Sequence, residues 1–408
     1  MNNISFYTKK VLTPILKIYR GKVGNIAFYG AFAVIYLYRF YYTTMFPDVF
    51  QKPRFLAILF YMGILILVGL SVLCVIETMF NSRKKAIMLV GILFIGLISS
   101  FCSDRFDIIL PLCLLIVASK GRNVGPVFLL SVILGSIMLL VAYYASMNGY
   151  IPYLVYDRGN PEMLAHAFGL QYRTFLGGHV LYIIMCYAIV RDKKLHLWEY
   201  MMLIFDMWIV WRYAMTRTAC ICMAIFLLGL GIELIHYHFM GKWIAVPKFT
   251  AIVHVFCALF SFVAVAWWGI TKGVLDIDSN YDSLASRLSL SVQGFQQYPV
   301  KLFGQVIKER GGGGIVDTSI PYFVLDIFYI RILLIGGIAL FLVYMCLMTY
   351  ASYKAVKEGQ VIIALALMMV AVHSLAEIFA FRLSFNVLIL YSLGYFGLSK
   401  DVRKTESA

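Results

Sequence analysis

Apolar residues run through this 408-residue chain in long blocks, not at alternate positions or in single helical stripes. A helix that crosses the ~30 Å hydrocarbon layer of a bilayer takes about 20 residues. Twelve blocks approach that length: 26–44, 55–77, 86–101, 106–119, 124–146, 164–190, 197–213, 218–236, 249–269, 321–350, 360–380 and 385–398. The third and fourth are short and joined by Cys102-Ser-Asp-Arg-Phe106; they read as two spans or as a re-entrant pair. The pattern predicts an all-α polytopic membrane protein of about 12 transmembrane helices. Its parts are a basic N-terminus (1–25), nine spans (26–269), a large loop (270–320), three more spans (321–398) and a tail (399–408). A connection as long as 270–320 is usually functional or disordered.

Composition removes the soluble classes. Hydrophobic residues make up 62% and charged residues 13%, against about 45–50% and 25% in soluble domains. A net charge of +15 would suggest nucleic acid in a soluble protein. Here its placement points to topology instead. With the N-terminus inside, the inside segments hold 20 of the 35 Lys and Arg, the outside loops 11 and the spans four. Cytoplasmic loops collect basic residues, so both termini are expected in the cytoplasm, the 270–320 loop outside, and no nucleic acid as partner. No cleavable signal peptide is evident in residues 1–24. Seven of the eight cysteines lie in or beside apolar runs with no CxxC spacing, which predicts neither disulfides nor a metal site. No internal repeat is visible, which weighs against transporters built from duplicated halves.

The chemistry is expected in ionisable residues that a membrane should exclude. An arginine at mid-helix costs about 2.5–3.5 kcal/mol on insertion scales, so it faces a cavity or a partner. Arg173, Arg212, Arg217, Arg331 and Arg382 fall in the outer halves or outer ends of spans, and Arg287 in the large loop. That accumulation runs against the positive-inside trend. A phosphorylated group at the outer leaflet would explain it, because guanidinium forks match phosphate oxygens. The plainer account pairs these arginines with Asp206, Asp326, Glu377 and the loop acids. His373 and Glu377 stand four apart, on one face if the helix continues through both. They suggest either a general base with its orienting partner or a structural hydrogen bond. Asp326 is the rival base. His166 and His179 flank Arg173 and read as packed histidines. Gly311-Gly-Gly-Gly314 reads as a flexible hinge before a phosphate nest. Tyr150, Tyr153, Tyr156, Tyr281 and Tyr298 read as interfacial anchors or as stacking partners for sugar rings.

Four segments then resemble one family. Met215-Thr-Arg-Thr-Ala219 opens an apolar span. Ser286-Arg-Leu288, Gly294-Phe295, Pro299 and Leu302-Phe-Gly304 follow in the large loop. Asp326-Ile-Phe-Tyr329 and Gly336-Gly337 begin the next span, and His373 and Glu377 precede the last. In this order they are similar to motifs of the Wzy-type O-antigen and capsule repeat-unit polymerases, relatives of the O-antigen ligases. The likeness in architecture covers the whole chain, and that in motifs mainly 164–390. The ligase histidine is absent, with Leu325 and Asp326 at its place, which favours polymerase over ligase. Gly304 is followed by Gln305 where a second glycine is common.

The resemblance implies a metal-independent and cofactor-free glycosyl transfer at the outer face of the cytoplasmic membrane. A polyprenyl-diphosphate-linked oligosaccharide is the donor, and the sugar hydroxyl of a second lipid-linked repeat unit is the acceptor. A chain-length regulator and a flippase would be companion proteins. On this footing Arg217 and Arg287 are the first candidates for diphosphate binding, followed by Arg331, Arg173 and Arg382. His373 or Glu377 would be the base, with Asp326 as rival. The other classes weighed are a lipid-linked oligosaccharide flippase, an O-antigen ligase, and a membrane acyltransferase using His373 or His254.

Overall fold

The computed structural model describes residues 13–50, 53–157, 164–244, 246–274, 284–313 and 321–397. Lys9, Lys10, Tyr281, Gly314, the tail 399–408 and the loop stretches 275–283 and 314–320 lie outside the described residues.

The chain is an all-α membrane-embedded protein. Its helices are α1 (Lys22–Tyr41), α2 (Arg54–Asn81), α3 (Arg83–Ser103), α4 (Ile109–Ala118), α5 (Gly125–Met147), α6 (Arg173–Arg191), α7 (Leu197–Ile209), α8 (Arg217–Met240), α9 (Val253–Thr271), α10 (Leu284–Gln297), α11 (Phe328–Arg331), α12 (Gly337–Glu358) and α13 (Val361–His373). Among the described residues the sole sheet is a two-residue antiparallel pair, Val155–Tyr156 with Ala165–His166. Eight helices among the described residues are long and apolar enough to cross a membrane.

Two kinds of helix build the bundle. The long ones (α2, α3, α5, α8 and α9) bury under half of their most apolar window and expose residues such as Phe55, Leu65, Leu140, Leu228 and Val263. Apolar surface on that scale is a face for lipid. The short ones, α4 and α13, are apolar on every side and buried almost throughout, so they are the centre of the packing. Small residues let them approach. A Cβ on Gly96 of α3 would lie 2.6 Å from the Cys113 Sγ of α4. Hydroxyls add inter-element bonds, as from Ser71 Oγ to the Leu114 carbonyl at 3.0 Å.

Four expectations change. The block 164–190 becomes helical only at Arg173, which is therefore the first residue of α6 instead of lying within a span. The block 197–213 is a 13-residue α-helix continued by a wider turn, Val210–Ala214. The block 360–380 is helical to His373 and then turns. The block 385–398 holds no α-helix among its described residues, only the tight turn Leu388–Ser392. Asn386 is the reason. Its side chain donates to the Ala380 carbonyl at 2.8 Å and accepts from the Leu388 amide at 3.1 Å, in competition with helical bonding. Residues 383–392 are buried in protein, the one setting where non-helical backbone is tolerated at membrane depth. This segment returns to the end of the bundle opposite the 298–327 loop. There the Gly121 amide donates to Leu393, the Tyr395 amide to Arg122, and Lys354 Nζ to Tyr391 and Gly394.

The tenth block, expected at 321–350, is instead Phe328–Glu358, which is long enough to span but broken. After α11 comes the wide turn Ile332–Gly336, and then Gly337 at φ 88° and ψ 168°. The large loop closes this break. The Gln305 amide donates to the Ile335 carbonyl at 3.1 Å, and the Ile338 and Ala339 amides donate to Lys301 and Leu302 at 3.1 and 3.0 Å. Gln305 Nε2 reaches the Pro299 carbonyl at 2.6 Å and the Leu334 carbonyl at 3.4 Å. Gln305 thus serves the Leu334 and Ile335 carbonyls, which the break sets free.

Candidate functional site

The helix ends at the loop side bring six of the expected ionisable residues into two neighbouring groups. The first forms around Arg287 on α10. Its guanidinium lies 3.1 Å from a Glu377 carboxylate oxygen and 3.8 Å from one of Asp326. Asp326 comes from the strand-like approach to α11, and Glu377 from the turn after α13. One cation therefore ties together three segments far apart in sequence. Asp326 is the more open acid, with its side chain 25% exposed against 9% for Glu377.

His373 is close to Glu377 but does not pair with it. The Glu377 amide continues one helical turn to the His373 carbonyl at 3.0 Å, while its carboxylate turns to Arg287. The imidazole is buried against Tyr182 and Phe379, and neither ring nitrogen has a hydrogen-bond partner among the described residues. The helix ends at His373, so the expected dyad on a single face does not form.

The second group is a small cleft of about 60 Å³, lined by Arg105, Arg331 and Arg382 together with apolar side chains such as Ile109, Phe328 and Phe381. Glu309 of the large loop is the carboxylate of this group. It takes two bonds of 2.5 Å from Arg331, a bond from the Leu325 amide at 3.0 Å, and Arg105 at 3.5 Å. Arg382 makes no side-chain hydrogen bond or ion pair among the described residues. It rests over the Phe175 ring and is surrounded by Arg331, Arg39 and Arg105. Arg39 pairs with Asp107 close by. Burial and then Arg331 push the Arg105 guanidinium below its usual pKa, which shows how closely the cations crowd. Removing the carboxylate leaves two poorly solvated arginines uncompensated. Glu309→Gln is therefore expected to lower the thermal unfolding midpoint in detergent by several degrees, on the order of a 1–2 kcal/mol loss for a partly screened pair.

Tyr172 joins the two groups, since Asp326, Arg382 and Glu309 all act on its phenol. Burial raises the phenol above its ordinary pKa, and the Gly313 amide partly offsets this. The glycine run lies directly on this ring. A Cβ on Gly311 would overlap the Tyr172 hydroxyl, and one on Gly313 would overlap the Gln171 carbonyl oxygen. Gly311 and Gly313 permit close approach to Tyr172.

The remaining candidates lie elsewhere. Arg173 is buried and donates to the Met215 carbonyl at 3.0 Å, holding the left-handed corner at Met215. Arg217, the first residue of α8, is exposed on that corner and does not line the cleft. Arg212 is exposed over its neighbour Tyr213. Asp206 pairs with no arginine among the described residues. His179 is stacked between Phe40 and Phe385, and His166 Nδ1 lies 2.9 Å from Tyr153 Oη, so both are packed as expected. No group of three or more His, Cys, Asp and Glu able to hold a metal ion occurs among the described residues. Sequence reasoning missed Glu309, Tyr172 and Arg105 as site residues. Glu309 was legible only as one of several loop acids, within Lys308-Glu-Arg310.

No protein-family model, curated protein or solved structure matches the chain.

Proposed function

We propose that the chain is an oligosaccharide repeat-unit polymerase. It transfers a polyprenyl-diphosphate-linked glycan to the sugar hydroxyl of another lipid-linked repeat unit. The observation that supports this most is the meeting of Arg287, Asp326 and Glu377. They belong to three separate motifs of the resemblance, yet they converge beside a cleft that is cationic at one part and apolar elsewhere. Arginines set against apolar side chains suit the phosphorylated head of an amphiphile.

In this proposal the acceptor oxygen attacks the donor's anomeric carbon. The bond to the diphosphate breaks, and the diphosphate leaves with the electron pair. Asp326, the more open carboxylate, takes the hydroxyl proton; Glu377 and Arg287 fix its position. Arg331 and Arg382, with Arg105, receive the charge that grows on the leaving group. This moves the diphosphate role from Arg217 and Arg287 into the cleft and leaves Arg217 exposed at the Met215 corner that Arg173 supports. His373 has no opening to a substrate and is not the base. The loop side faces outward, with both termini in the cytoplasm and twelve crossings counted by chain direction. The last crossing is non-helical.

The test is incubation of purified protein with a lipid-linked repeat unit. A ladder of longer glycans supports the polymerase. Transfer to a lipid A core would support a ligase instead, and translocation without bond formation a flippase. Asp326→Asn is expected to slow ladder growth by about 10²–10⁴-fold, the usual contribution of a positioned base. An unchanged rate would pass the role to Glu377.

A further inference from the structure

Beyond Glu377, buried polar groups that this chemistry does not use are arranged in a file. It starts at Glu377 and passes His373 and Tyr182, whose rings are 5.9 Å apart. It continues through Ser374, whose hydroxyl faces both Tyr329 and Tyr344. Tyr344 lies against His254, with ring centroids 6.4 Å apart. His254 is the second residue of α9, one helical turn from Thr250 and the exposed Lys248 at the opposite end of the bundle.

Three properties set this file apart from ordinary core polarity. Its members come from α6, α9, α11, α12 and the end of α13, so no single helix pattern places them together. All are buried, and neither the ring nitrogens of His373 nor the hydroxyl of Tyr182 has a hydrogen-bond partner among the described residues. Buried polar groups in proteins are nearly always satisfied, so two unsatisfied residues side by side in the file call for a shared cause. Third, each member is a hydroxyl or an imidazole, groups that accept one proton while releasing another. The titratable neighbours from other elements are Cys186 of α6, Cys222 of α8 and Cys257 of α9, with Arg287 of α10 beside His373.

We propose that this file conducts protons between the Arg287–Glu377 site and the opposite end of the bundle, its ligand being the proton itself. Intramembrane ionisable chains of this kind mark proton relays in pumps and transporters. In each hop a group takes a proton on one lone pair and gives one up from the other. Single water molecules bridge the gaps between side chains, and no electrons move. The net event is one proton carried from one end to the other, down its gradient. The path gives Glu377 a second source of protons besides the solvent at the loop side.

The experiment uses the full chain in liposomes with a trapped pH-sensitive dye, no glycan substrate, and a potassium diffusion potential set by valinomycin. Wild-type protein is expected to pass protons faster than protein-free vesicles. Tyr344→Phe, which keeps the ring and its packing, and His254→Leu are each expected to reduce the added flux about tenfold or more, since each removes a hop. Wild-type flux equal to that of empty vesicles would overturn the proposal, as would both variants conducting at the wild-type rate. The assay contains no polymer step, so its outcome is independent of whether the chain builds polysaccharide.

Discussion

Replacing Arg287 by alanine is expected to stop chain extension and leave single repeat units on their lipid. The guanidinium holds both Asp326 and Glu377, at 3.8 and 3.1 Å. Without it two neighbouring carboxylates repel, and one takes up a proton to relieve the conflict. The acid that should accept the acceptor's proton is then displaced or already protonated. A loss of about 10²-fold or more is expected, the scale of removing one fixed charge-stabilising group. Arg287→Lys separates this from a folding defect. It keeps the charge and loses the fork that spans two carboxylates, so the protein should fold and still extend poorly. Gel analysis of the lipid-linked products checks both variants. Full-length polymer from Arg287→Ala at normal expression would remove this cluster from the reaction.

The second large effect is expected at Gly337. Its backbone, at φ 88° and ψ 168°, lies in a region essentially restricted to glycine. A Cβ would also meet the Leu302 carbonyl oxygen at 2.6 Å. Gly304, at φ 85°, has the same problem against the Ile335 carbonyl. Alanine at Gly337 or Gly304 therefore has to push the 301–305 segment out of the helix break. Backbone strain alone is worth about 1–3 kcal/mol, before the overlap. The bonds from Gln305, Ile338 and Ala339 go with it. Rapid proteolysis within 298–313 and a lowered melting midpoint are expected for Gly337→Ala. Gly312→Ala is the control, because a Cβ there meets nothing within 4 Å. Equal protease resistance in all three variants would show that the interlock is unimportant.

These two sites also show what could and could not be read from the residues. Membrane embedding was legible because long apolar blocks are a one-dimensional signal. Arg287, Asp326 and Glu377 could be singled out one by one, since a charge near a bilayer stands out against its neighbours. Their meeting could not, because it depends on how α10, the approach to α11 and the turn after α13 pack. The glycines of Leu302-Phe-Gly304 and Gly336-Gly337 drew notice through resemblance. Their physical task, each making room for the other's backbone, needed the loop and the broken helix in one view. The block 385–398 was misread because hydropathy does not report local competition from a side chain such as that of Asn386. Glu309 was passed over because an acid between two bases in a loop looks like a solvated charge run.

The non-helical return through 383–392 bears on how the protein is made. A nascent helix satisfies its own backbone and can leave the insertion machinery for lipid by itself. This stretch bonds only partly to itself, and carbonyls such as those of Leu390 and Tyr391 are served by Ser119, just past α4, and by Lys354 of α12. It is therefore the closing piece of assembly, able to enter only after the surrounding helices have gathered.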